Sequence, residues 1–103
     1  MLSKDFNSLL KIKHEEEEKL LSSKGQEYTI GDSDRLIAFK EIAKQIGITP
    51  KQVCMVFMTK HFFSLCNYVS GQASPTTEQL SDRVTDLRNY ALFLEALDED
   101  EDV

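Results

Sequence analysis

The sequence predicts an all-α protein, a four-helix bundle that pairs with itself through its third helix. Three observations predict it. Apolar residues recur at helical spacing in four segments, and no segment alternates convincingly as a strand does. The 4 Gly and 2 Pro of the 103 residues fall between those segments. The third segment is apolar on almost every side, and a chain this short has few other helices with which to cover it.

The first helix is expected from Ser3, a good N-cap, to about Ser23, with the Gly25 region ending it. Leu2, Phe6, Leu9, Leu10, Leu20 and Leu21 form its stripe, interrupted by Lys13, Glu16 and Glu17. The second is expected from Asp32 or Ser33 to Gly47, whose tolerance of left-handed backbone suits a helix end. Leu36, Ile37, Phe39, Ile42, Ala43 and Ile46 give it an apolar face. Thr49 as N-cap and Pro50 at the first helical position open the third, which runs to about Ser70. A helix apolar all round is buried, so a two-fold homodimer through this helix is expected. Thr76 or Thr77 caps the fourth, which runs to about Leu97. There Leu80, Val84, Leu87, Ala91 and Leu94 repeat at steps of four and three, widened by Tyr90, Phe93 and Leu97. The reading is one helical domain over 1–97 and an acidic, frayed tail over 98–103.

Composition excludes several functions. With 18 acidic and 12 basic residues the net charge is −6, and a nucleic-acid binder held by counterion release needs a basic face instead. An acidic mimic of DNA needs carboxylates over a broad surface, whereas here they concentrate in Glu15–Glu18 and the tail. No apolar run reaches the ~18 residues of a transmembrane helix. The first residues lack the apolar core of a signal peptide. Cys54 and Cys66 lack CxxC spacing and read as free thiols of a reducing compartment.

Three polar groups stand within apolar helix faces. Asp82, Asp86 and Asn89 share one flank of the fourth helix, and two carboxylates a turn apart tolerate each other best across a cation such as Mg²⁺. A solvated edge balanced by Arg83 and Arg88 is the other reading. On the first helix, ~100° per residue turns Glu16 and Glu17 partly inward and Glu15 and Glu18 to solvent. An inward carboxylate needs a metal or a partner, and Lys13 offers Glu17 one at i, i+4. On the third helix His61 projects with Cys54, Leu65 and Tyr68, and Lys60 lies on a narrow polar strip with Ser64 and Asn67. A lone Lys on a buried helix needs an anion, either a carboxylate or a phosphate. Arg35, beside the loop at Tyr28–Asp32, either reaches a phosphate or pairs with Asp32.

Several stretches resemble a group of small phage and prophage proteins. They are Tyr28; Asp34-Arg35-Leu36 leading to Phe39-Lys40; Ile48-Thr49-Pro50; Met58-Thr59-Lys60-His61-Phe62-Phe63-Ser64; and the run from Asp82 to Leu94. The likeness spans about Lys24 to Leu97. That group is in turn distantly similar to phage nucleotide-modification domains and to all-α nucleotide pyrophosphatases of the MazG and dimeric dUTPase type. The resemblance implies a dimeric helical bundle in which carboxylates on two helices hold Mg²⁺ against a nucleotide. It implies ExxE on one helix and ExxD on a later one. This chain departs from that pattern. Glu15 and Glu18 have the first spacing but turn outward, and Arg83 stands three before Asp86.

Two functions are therefore expected in parallel. In one, a phage protein in the host cytoplasm binds or hydrolyses a nucleotide as a pyrophosphohydrolase does. Glu16, Glu17, Asp82 and Asp86 would hold Mg²⁺, Lys60 and Arg83 the phosphates, and Tyr28, His61 and Asn89 would shape the pocket. In the other, a non-enzymatic homodimeric helical protein acts on a host or phage partner.

Overall fold

Some helix boundaries trace to local signals in the chain, and others are set by packing. The computed structural model describes residues 1–28, 34–72 and 79–100, and the side chains of all of these except 23–28. Helix α1 spans Ser3–Tyr28. The Leu2 carbonyl accepts from the N–H groups of Asp5 and Phe6 at 3.0 and 3.1 Å, so the helix is entered one residue before Ser3. It continues through Gly25, where the sequence places its end. A helical glycine costs about 1 kcal/mol relative to alanine, which weakens a helix without stopping it.

Helix α2 spans Ile37–Ile46, starting several residues later than Asp32 or Ser33. A turn at Arg35 and Leu36 precedes it, and the Leu36 carbonyl accepts from Phe39 at 3.1 Å. Leu36 is itself buried, so packing fixes this start. Gly47 ends the helix as expected, at φ 74° with its N–H on the Ala43 carbonyl at 2.9 Å. A side chain at that φ is strained, which is why glycine stands there.

Helix α3 spans Pro50–Val69, with Thr49 as N-cap and Pro50 at its first position as expected, and Gln52 completes a capping box that the sequence reading did not name. Thr49 Oγ1 accepts from the Gln52 N–H at 3.1 Å, and Gln52 Oε1 accepts from the Thr49 N–H at 2.9 Å. Helix α4 spans Leu80–Glu99 and opens with Gln79 and Asp82 in a second capping box. Thr76 and Thr77, the caps expected from sequence, lie outside the described residues.

All regular structure among the described residues is α-helical, as the sequence predicts, and four helices make it up. The backbone divides into two compact units, Met1–Arg35 and Leu36–Val103. In the first, Arg35 Nη2 donates to the Leu21 carbonyl of α1. Leu2, just before α1, and Phe6, Leu9, Leu10 and Ile12 of α1 are exposed.

In the second unit α3 packs against α4 and α2 against α3. Residues of α3 meet α4 in reverse order, Ser64 with Arg83, His61 with Asp86, Phe57 with Tyr90 and Lys51 with Asp98. The pair is thus an antiparallel hairpin. Leu36, Phe39, Ala43, Val53, Cys54 and Leu97 are the buried apolar core among the described residues. Phe39 is its hub, with ring centroids of Phe57, Tyr90 and Phe93 at 6.3, 6.1 and 5.6 Å in tilted or edge-on arrangements.

Two expectations need correction. Helix α3 is not buried all round. Val53 and Cys54 are buried, but Met55, Val56, Phe62, Phe63 and Val69 are exposed, because α2 and α4 cover one side of it. Nor do Asp98–Asp100 belong to a frayed tail. Helix α4 continues to Glu99, Lys51 Nζ meets Asp98 at 2.7 Å, and Lys40 Nζ meets Asp100 at 2.9 Å. The like charges that would have loosened this end are paired with lysines of the neighbouring helices. Residues 101–103 lie outside the described residues. No helix among those described is long and apolar enough to cross a membrane.

Candidate functional site

Helix α4 carries two stripes, and the mixed one, not the apolar repeat, holds the buried Arg83 and Leu97. Arg83, Asp86, Tyr90, Phe93 and Leu97 also recur at steps of three and four, and this mixed stripe packs inward. Leu97 is fully buried and Arg83 is only 7% exposed. Arg83 Nη1 donates to the Ser64 carbonyl at 3.1 Å and to Ser64 Oγ at 2.7 Å. Its guanidinium lies 5.4 Å from the Tyr68 ring centre. A guanidinium keeps its charge, so a buried one needs acceptors and a ring face, and α3 supplies both. The residue assigned to phosphate from the sequence is a brace between helices.

The other candidates sort in the same way. Asp82 is exposed, and its Oδ2 accepts from the Gln79 N–H at 3.2 Å in the cap of α4. Asp86 is half-buried, with Oδ2 3.8 Å from His61 Nδ1, and His61 stacks on Tyr90 with ring centres 4.8 Å apart. The structure therefore brings His61 and Asp86 together. Asn89 is buried on α4. Lys60 is exposed, since the face of α3 that bears it is uncovered, so the argument that it needs a buried anion fails. On α1, Glu16 is exposed and pairs with Lys13 at 3.6 Å, while Glu17 is half-buried. Glu15 and Glu18 are exposed, as their angles on the helix require. Tyr28 closes α1, and its side chain lies outside the described residues. Among the described residues no group of three or more His, Cys, Asp or Glu side chains is placed to hold a metal ion.

Two titratable groups of the second unit are displaced from their ordinary behaviour. Burial pushes the Cys54 thiol up, and its Sγ donates to the Tyr90 carbonyl at 3.3 Å. The hydrogen bond from Lys51, and then its charge, hold the Asp98 carboxyl down.

The feature that remains is apolar. A shallow groove of about 520 Å³ runs between α3 and α4. Met55, Met58, Thr59 and Phe62 of α3 form one wall, and Leu87, Arg88 and Ala91 of α4 form the other. Leu87 and Ala91 belong to the apolar repeat of α4 and are half-buried, while Leu94 of the same repeat packs against the core. Along α3, Met55, Thr59, Phe62, Cys66 and Val69 are all exposed, and they follow one another at the same steps of four and three. Thr59, whose Oγ1 donates to the Met55 carbonyl at 2.9 Å, lines the groove within this row. Sequence reasoning saw α3 as apolar on almost every side, apart from the strip of Lys60, Ser64 and Asn67, and missed this row. The alternating steps through Thr59 and Cys66 were the signal that could have found it.

No family model, no curated protein and no solved structure matches this chain.

Proposed function

We propose that the protein is a non-enzymatic helical interaction module whose working surface is the groove between α3 and α4. One observation carries this reading. Among the described residues an exposed apolar row of α3 with coiled-coil spacing flanks the groove, and the half-buried Leu87 and Ala91 of α4 face it. An amphipathic helix laid into an apolar groove is a common mode of protein recognition. The polar residues that suggested chemistry have other work in this unit. Asp82 caps α4, Arg83 holds Ser64, and His61 lies between Asp86 and Tyr90. A Mg²⁺–nucleotide site needs Asp82 and Arg83 for metal and phosphate, and it loses support accordingly.

The test is a photo-reactive benzophenone side chain placed at Phe62 in living cells. Illumination is expected to give a discrete adduct of higher mass. The same group at Gln45, exposed on α2, is expected to give none. A position-62 sample indistinguishable from the Gln45 control would remove the proposal.

A further inference from the structure

We infer that the groove receives a second copy of this chain, two α3–α4 hairpins packing face to face about a two-fold axis into a four-helix core. This rests on the groove being an interaction surface, as proposed above. Three observations choose the second copy.

The first is spacing. Both walls of the groove, α3 and α4, present residues at alternating steps of four and three. That period keeps a side-chain row facing a roughly parallel or antiparallel neighbouring helix, so the occupant is helical on both walls. A hairpin that carries the same two rows supplies two such helices at once. A two-fold axis then matches each α3 row to an apolar row of the other copy.

The second is area. Met55, Phe62 and Val69 are 50, 55 and 78% exposed. With the smaller exposed parts of their neighbours along the groove, they present roughly 500–600 Å² of apolar surface, counting about 200 Å² for a whole aromatic side chain. That sits at the top of the range, about 300–600 Å², for the largest patch on a monomeric protein. Burying it on both copies removes roughly 1,000–1,200 Å² in total, which reaches the ~1,000 Å² expected of a specific interface.

The third is charge. Two chains of net charge −6 repel wherever their carboxylates face each other. Helix α3 contains no Asp or Glu, whereas α1, α2 and α4 all do. The one charged residue lining the groove is Arg88. A copy approaching along α3 therefore meets no carboxylate in the groove.

The test combines sedimentation equilibrium with methyl NMR of the full chain. The protein has three methionines, Met1, Met55 and Met58, and the last two line the groove. At tens of micromolar the wild type is expected to sediment as a dimer. Its Met55 and Met58 methyls should be shielded from a soluble paramagnetic probe. Phe62→Glu is expected to weaken the dimer on the order of 100-fold or more, since each interface then buries two charges. Circular dichroism should show the helicity of that variant unchanged, because Phe62 is exposed in the single chain. A wild type that stays monomeric at millimolar concentration overturns the second copy as occupant. In that monomer, exposed methyls leave the groove open for a different protein, and the interaction reading survives. Shielded methyls in that monomer mean the chain closes its own groove, and both readings fall.

Discussion

The same substitution at two phenylalanines separates the core from the open face. Phe39 is 8% exposed and meets three aromatic rings at 5.6 to 6.3 Å, whereas Phe62 is 55% exposed on the groove wall. Phe39→Ala removes a buried ring and leaves a void between α2, α3 and α4. Core changes of this kind cost about 3–5 kcal/mol. A small domain has a net stability of only ~5–15 kcal/mol. For a domain of this size each kcal/mol moves the melting temperature by about 4–8 °C, so a fall of roughly 15–30 °C is expected. Phe62→Ala loses only the part of the ring that is already dry, and alanine is the better helix former. Its net cost is about 1 kcal/mol or less. Thermal and urea unfolding followed by circular dichroism measures both. Protein at low micromolar concentration or below keeps association from adding to stability. Equal costs at the two positions would refute the assignment of Phe62 to an uncovered face. A Phe39→Ala variant within about 1 kcal/mol of wild type would refute the hub.

Three further outcomes follow from single contacts. Asp82→Ala is expected to destabilise the chain by about 0.5–2 kcal/mol through loss of the α4 cap, with Asp82→Ser or Asp82→Asn costing less; equal losses for all three by urea unfolding would speak against a capping role. Asp98 has its folded pKa held below the unfolded value of about 3.9, so its pairing with Lys51 contributes above that pH and is lost as pH falls through the lower folded value. Urea unfolding between pH 5 and pH 2 should therefore show a steeper acid loss for wild type than for Asp98→Asn, most clearly at low salt, and superimposable profiles would contradict the pairing. Of the two thiols, exposed Cys66 should react quickly with a thiol reagent in monomeric protein, while buried Cys54, held protonated to higher pH, should react only as the fold opens. Two thiols reacting at one rate would place Cys54 nearer the surface than the core requires.

Features that depend on local chemistry were legible in the sequence. Gly47 and Thr49-Pro50 read directly because a left-handed end and an N-cap involve only neighbouring residues. The start of α2 was not legible, since it is set by burial of Leu36 rather than by Asp32 or Ser33. On α1 Lys13 pairs with Glu16 at i, i+3, a partner beside the Glu17 at i, i+4 that sequence spacing suggested. Both geometries are allowed on a helix, and spacing alone does not choose between them. The acidic end of α4 read as a block of like charge because Lys40 and Lys51 are distant in sequence and adjacent only after folding.

The candidate site was misread for a related reason. Helix α4 offers two stripes at helical spacing, one apolar through Leu87 and Ala91 and one mixed through Arg83, Asp86 and Tyr90. Hydrophobic periodicity favours turning the first inward. The structure turns the second inward, because Arg83 finds Ser64 and Tyr68, and Tyr90 finds Phe39, Phe57 and His61. A mixed stripe whose guanidinium and rings find partners can be buried at modest net cost, which leaves Leu87 and Ala91 of the apolar stripe at the groove. The exposed row on α3 then stops being an anomaly. Both helices of the hairpin place polar or mixed residues where they meet each other and keep apolar residues for the groove beside them. A chain with this exposed row on α3 gains by burying it against an apolar neighbour.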